Sequence, residues 1–139
     1  MRKATCLSLA IAICGGLLFA SVAIGAKIAG TTGPDDLFGT PKHDHIAGAA
    51  GADKIQGLGR GDRLHGDSGQ DKVLGQTGDD KLYAGNGIAD ILRGGLGGDY
   101  LNAKDHHNDD LVRGGVGFDI CVLDRDDTAT SCEVIQGGQ

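Results

Sequence analysis

Gly66-Asp67-Ser68-Gly69-Gln70-Asp71-Lys72-Val73-Leu74-Gly75-Gln76-Thr77-Gly78-Asp79-Asp80-Lys81-Leu82-Tyr83 is a nine-residue unit written twice. Each copy opens on glycine, repeats glycine at its fourth place, carries aspartate at its sixth and sets an aliphatic residue two places later. Outward from this stretch the same frame runs as ten units from Gly30 to Val122. The sixth-place aspartates are Asp35, Asp44, Asp53, Asp62, Asp71, Asp80, Asp90, Asp99, Asp110 and Asp119, with one extra residue before Asp90 and two before Asp110. Their apolar companions are Leu37, Ile46, Ile55, Leu64, Val73, Leu82, Leu92, Leu101, Val112 and Cys121. One carboxylate and one apolar side chain at fixed separation in every unit predict an all-β, parallel solenoid.

Within a unit the first six places are rich in Gly, Asn and Asp, which supply turns and tolerate positive φ. The last three, such as Lys54-Ile55-Gln56 or Lys81-Leu82-Tyr83, form a minimal strand whose central residue points inward. A turn plus a short strand reverses the chain once, so two units make one coil and ten units predict about five coils, with strands ~4.8 Å apart. The aspartates then alternate between two edges: Asp35, Asp53, Asp71, Asp90 and Asp110 on one, Asp44, Asp62, Asp80, Asp99 and Asp119 on the other. Two carboxylates stacked ~5 Å apart repel by roughly 3 kcal/mol at an effective dielectric of ~20. Such a stack demands a cation. With three Phe, two Tyr and no Trp there is no large conventional core, so the ion is expected to contribute folding free energy.

The units resemble the RTX, or haemolysin-type, calcium-binding repeats, whose consensus is G-G-x-G-x-D-x-U-x. Gly94-Gly95-Leu96-Gly97-Gly98-Asp99-Tyr100-Leu101-Asn102 and Gly114-Gly115-Val116-Gly117-Phe118-Asp119-Ile120-Cys121-Val122 follow it most closely. The resemblance implies a β-roll that binds Ca2+ between same-side turns of adjacent coils. The ligands it implies are the ten turn aspartates and backbone carbonyls of the glycine-rich turns at Gly30, Gly33, Gly48, Gly51, Gly66, Gly69, Gly75, Gly78, Gly94, Gly97, Gly114 and Gly117. Calcium chemistry agrees, since six to eight oxygen donors at ~2.3 to 2.6 Å are what such turns offer. The sequence departs from the pattern where Lys42 and Arg60 take the fourth place. The sites between Asp35, Asp53 and Asp71 and between Asp80, Asp99 and Asp119 are therefore expected to be strong, and the Asp44 to Asp62 gap weak.

Arg2 and Lys3, an apolar run from Leu7 to Ile24 and small residues after it read as a secretory signal peptide over 1–26, cleaved after Ala23 or Ala26. Gly15, Gly16 and Gly25 favour a cleaved peptide over a membrane anchor. Removing it takes away two positive charges and no negative one, moving the formal charge from -6 to -8. That balance argues against nucleic acid and anionic lipid as partners and for cations. The expected location is extracellular, with no membrane insertion of the mature chain and with any protein or glycan partner unidentified. Of the four cysteines, Cys121 and Cys132 survive cleavage, and an even pair in an exported chain predicts a disulfide. It would fold the tail, 123–139, over the last coil as a cap, because an open solenoid end exposes strand edge and core.

Other motifs lose to the repeat frame. Gly66-Asp67-Ser68-Gly69 matches a serine-protease nucleophile segment but lies in repeat phase. His43-Asp44-His45 and His106-His107 lack further ligands at a zinc spacing. Gly57-x-Gly59-x-Gly61 has no strand-loop-helix setting for a nucleotide. Asp124-Arg125-Asp126-Asp127 lacks the glycine and closing glutamate of an EF-hand. No catalytic residues are expected. The expected function is calcium binding by a structural or interaction module, against the alternative of a carbohydrate-, adhesion- or ice-binding solenoid. Flat Thr or Asn rows of an ice binder are missing: the seventh places read Asp36, His45, Lys54, Arg63, Lys72, Lys81, Ile91, Tyr100, Leu111 and Ile120.

Overall fold

A computed structural model describes residues 25–107 and 109–137. The expected signal peptide lies outside them except for Gly25 and Ala26. All regular structure among the described residues is β: β1 Lys27–Ala29, β2 Asp36–Phe38, β3 His45–Ala47, β4 Lys54–Gly59, β5 Arg63–Ser68, β6 Lys72–Thr77, β7 Lys81–Asn86, β8 Ile91–Leu96, β9 Tyr100–Asn102, β10 Leu111–Val116, β11 Ile120–Leu123, β12 Thr128–Thr130 and β13 Val134–Gly137.

Odd strands make one seven-stranded sheet in the order β1-β3-β5-β7-β9-β11-β13, and even strands make a six-stranded sheet running from β2 to β12. Every pairing is parallel, and the register is the repeat itself: Ile55 opposes Val73 and Leu64 opposes Leu82, so one coil consumes two units. The insertions do not break this. Val73 opposes Leu92 and Leu92 opposes Val112, which means that the added residues are taken up in the turns while the strands stay aligned.

The fold is thus the expected parallel β-solenoid, extended to about six turns. Lys27–Ala29 already pairs with β3, and the tail adds β12 beside β10 and β13 beside β11. The strands are also longer than three residues in the middle coils, where β4 to β8 and β10 each reach six. They run on through the opening residue of the next unit, glycine except for Ala84 in β7, whose Cα faces inward as a second buried position after the aliphatic one.

Between the sheets lie two files of inward side chains, one per coil from each sheet. Ile46, Leu64, Leu82, Leu101 and Cys121 form one, and Leu37, Ile55, Val73, Leu92 and Val112 the other, all at most 5 % exposed. Fully burying an aliphatic side chain of this size is worth about 1.5 to 3 kcal/mol. Ile28 and Ala129 extend the files at the two ends. The Cys121–Cys132 disulfide closes the C-terminal end, joining the tenth inward position to the loop before β13.

Candidate metal centre

Apart from Asp35, every sixth-place aspartate is buried, from Asp44 at 4 % exposed to Asp119 at 0 %. Their first oxygens make a continuous chain of hydrogen bonds along each edge. The backbone N–H of each aspartate donates to Oδ1 of the aspartate one coil later: Asp35 to Asp53 (2.8 Å), Asp53 to Asp71 (2.8 Å), Asp71 to Asp90 (2.7 Å) and Asp90 to Asp110 (2.7 Å). On the other edge Asp44 donates to Asp62 (2.7 Å), Asp62 to Asp80 (2.7 Å), Asp80 to Asp99 (2.9 Å) and Asp99 to Asp119 (2.8 Å). The aspartates of each edge thus stand in a row, one per coil.

The second oxygens behave differently. Oδ2 of Asp53, Asp62, Asp71, Asp80, Asp90, Asp99, Asp110 and Asp119 is buried and has no hydrogen-bond partner. An unsatisfied buried polar atom costs about 1 to 3 kcal/mol, more when charged. Eight such atoms in two rows call for a common explanation. Six of them, on Asp53, Asp62, Asp71, Asp80, Asp99 and Asp119, sit against the glycine that opens their own unit, whereas the units of Asp90 and Asp110 open on alanine: a Cβ at Gly48 would stand 2.5 Å from Asp53 Oδ2 and 2.5 Å from the carbonyl oxygen of Gly66, and one at Gly39 would meet Asp44 Oδ2 and the Gly57 carbonyl equally closely. The opening glycine thus lets a carboxylate oxygen and a carbonyl oxygen from adjacent coils approach one another. Orphaned carboxylate oxygens beside carbonyls, with no nitrogen or sulfur donor, fit a hard cation such as calcium.

Burial also sets the protonation of these groups. It raises Asp71, Asp80 and Asp110 to about 7 and Asp62 and Asp99 to about 6, from 3.8. The accepted backbone hydrogen bond lowers each of them in part, while neighbouring carboxylates push the same way as burial. Asp53, Asp90 and Asp119 are raised for the same first reason. Without an ion, a stack of like charges out of water holds protons instead.

Two of the ten aspartates differ. Asp35 Oδ2 accepts from the backbone N–H of Thr31 (2.6 Å) and Asp44 Oδ2 from that of Thr40 (2.5 Å), and both threonine hydroxyls add bonds. Later units turn the same place outward: Ala49, Leu58, Asp67 and Gln76 have φ between 73° and 86°. There the second place pairs along the sheet, Leu58 with Gln76 and Asp67 with Gly85, rather than returning its N–H to the aspartate. Both edges therefore begin with a quenched carboxylate, at Asp35 as well as at Asp44. Arg60 adopts φ 66° where Gly51, Gly69, Gly78, Gly97 and Gly117 take 123° to 143°, so the fourth place of its turn has its own backbone conformation.

Two further carboxylates extend these rows and a third lies beside one of them, and all three escaped the sequence reading. Asp127 Oδ1 accepts from the N–H of Asp110 (3.2 Å), and Glu133 Oε2 from that of Asp119 (2.7 Å). The signal was present, because Asp127-Thr128-Ala129 and Glu133-Val134-Ile135 keep the acidic residue two places before an apolar one. Asp105 is the third; it is 8 % exposed and lies within the turn preceding Asp110. Its unit and that of Asp90 open on Ala103 and Ala84 instead of glycine, both fully buried. These are the two units with insertions. The histidines singled out in sequence do not gather: His43 Nδ1 lies 2.6 Å from the Gly61 carbonyl, whereas His107 is paired with Asp105 at 3.4 Å.

The family model of the RTX calcium-binding nonapeptide repeat (4 copies) matches residues 29–59 and again 56–88. No curated protein and no solved structure matches the chain. The later units, through Asp119, continue the same hydrogen-bond chain in the same register. Residues 29–88 thus carry the RTX calcium-binding nonapeptide repeat.

Proposed function

We propose that this is an exported calcium-binding β-roll whose folding is coupled to the ion, serving as a structural or interaction module with no catalytic centre of its own. The observation that carries the reading is the set of eight buried Oδ2 atoms without partners. The turn aspartates would hold the ion by these oxygens, beside carbonyls of the opening glycines. Bound calcium supplies the positive charge that two stacked carboxylates otherwise lack. Oδ1 of each aspartate keeps the turn in place through its bond to the preceding coil. The outer faces carry Lys54, Lys72, Arg63 and Lys81, while the acidic groups lie along the edges. In the unfolded chain these aspartates are hydrated and dispersed, so the ion stabilises chiefly the folded state.

Calorimetric titration of calcium into chelator-treated protein tests the reading. Several ions per chain are expected, with midpoints near the ~0.1 to 1 mM typical of extracellular modules; no binding at millimolar calcium would refute it. Export is tested separately by N-terminal sequencing of protein from the medium, which should begin after Ala23 or Ala26. A glycan-binding role has one feature in its favour, a row of rings on the seven-stranded sheet in which His65 and Tyr83 stack at 4.5 Å and Tyr83 lies 6.1 Å from Tyr100. Calcium-dependent capture on a glycan array would support that role.

A further inference from the structure

The two lengthened turns do more than accommodate extra residues. Because Leu92 and Val112 remain opposed in the sheet, the added length of the units before Asp90 and Asp110 has to be absorbed at the edge. There it carries Asp105 inward. Asp105 is the third residue of its unit, a place held elsewhere by Thr32, Pro41, Ala50, Gly59, Ser68, Thr77, Asn86, Leu96 or Val116. Its neighbours Lys104, His106 and His107 are exposed. Carboxylate oxygens of Asp90, Asp105 and Asp110 lie within 4.8 Å of one another, and all three residues are buried. Two oxygens bound to one ion at ~2.4 Å can be no more than ~4.8 Å apart, so the cluster matches the reach of calcium.

The second observation is independent of the clustering. Oδ2 of Asp90 and Oδ2 of Asp110 are buried with no partner, on residues each 1 % exposed. Asp105 is held from the other side: its Oδ2 accepts from the Gly87 N–H (3.1 Å) and its Oδ1 from the His107 N–H (2.7 Å). These bonds leave lone pairs on both oxygens. The carboxylate is therefore fixed in position, with the half-exposed His107 ring also 3.4 Å from its Oδ2.

We propose that Asp90, Asp105 and Asp110 hold one calcium ion at the lengthened turns, in a site with a carboxylate that no other unit supplies. This rests on the calcium-binding reading above and adds a discrete, more acidic site to it. The third carboxylate compensates for Ala84 and Ala103, which replace the opening glycines in these two units.

The test is bound calcium per chain, measured by equilibrium dialysis and metal analysis, on wild type, Asp105→Asn and, as a control on the outer face, Asp36→Asn. Asp105→Asn is expected to bind one ion fewer than wild type and to fold at saturating calcium; Asp36→Asn should match wild type. An unchanged count and affinity in Asp105→Asn overturns the proposal while leaving the calcium reading intact. A wild-type count of zero overturns both. Should Asp105→Asn not fold, anomalous diffraction from calcium-loaded wild type decides: an ion between the three carboxylates is expected, and no ion there with other gaps filled refutes the site.

Discussion

The backbone N–H of Asp71 reaches Oδ1 of Asp90 at 2.7 Å although the two lie 19 residues apart, one more than the regular coil. Asp90 to Asp110 repeats the bond at 2.7 Å across 20 residues. The carboxylate row is thus held by strand register, and turns of different length are fitted around it. Fold and proposed function share the same side chains here, since Oδ1 locks one coil to the next while Oδ2 of the same carboxylate is the atom proposed to face the ion.

The inward file should tolerate no charge. Val73 is fully buried in the middle of the stack, while Lys72 beside it lies on the outer face. Val73→Asp buries an unpaired carboxylate between aliphatic neighbours and is expected to cost more than about 3 kcal/mol, abolishing cooperative folding. Lys72→Asp should stay within about 0.5 kcal/mol, as surface changes do. Denaturant melts in calcium compare them, and equal losses would contradict the register.

Acid should act in opposite directions with and without calcium. Asp71, Asp80 and Asp110 are raised to about 7 in the folded chain, from 3.8. A raised folded value means that the ion-free solenoid binds protons the unfolded chain has released. Its stability from these groups is present in full below about pH 4 and is lost as pH rises through about 6 to 7. Chelator-treated protein is therefore expected to show more β-structure near pH 4 than at neutrality. With calcium present the protons compete with the ion, and the midpoint concentration should rise as pH falls from about 7 to about 5. Circular dichroism across this window checks both signs; a flat profile in chelator would count against the buried-carboxylate account.

Leu58 has φ 86° at a place where Gly95 and Gly115 take 129° and 128°. A side chain at positive φ costs about 1 to 2 kcal/mol, and glycine returns part of that in unfolded-state entropy. Leu58→Gly is expected to raise stability in calcium by about 0.5 to 1 kcal/mol. A loss of stability in a thermal melt would show that Leu58 packs against its neighbours by more than the strain it carries.

Reducing the Cys121–Cys132 bond should loosen the end of the solenoid alone. The bridge spans 11 residues, and closing a loop of that length is worth roughly 3 kcal/mol on the chain-entropy model. Nearest-neighbour stacking confines the effect to β11, β12 and β13. Amide exchange is expected to accelerate there and stay slow in β4 to β7. Uniform acceleration would mean that the coils melt as one unit.

The inward register was legible because it is a one-dimensional code: Ile55, Val73 and Leu92 each follow an aspartate by two places, whatever the turn before it does. The carboxylate rows followed from the same count. Quenching of Asp35 and Asp44 by Thr31 and Thr40 was not legible, since it depends on φ at the second place, and neither residue type announces that angle. Asp105 was hidden by the frame itself; it lies outside the sixth place and gains its role only when the strands hold register and the turn folds inward. Asp127 and Glu133 were readable, but their shortened spacing of 17 and 14 residues from Asp110 and Asp119 broke the period.

Calcium dependence of folding is measured most directly by far-ultraviolet circular dichroism of the purified protein at about pH 7.5, first in excess chelator and then in calcium well above the ~0.1 to 1 mM range of extracellular modules. The buried, partnerless Oδ2 atoms predict a disordered spectrum in chelator and a cooperative change to a β-rich one on adding calcium, reversed when chelator is restored. A β-rich spectrum that is the same in both conditions would contradict the account.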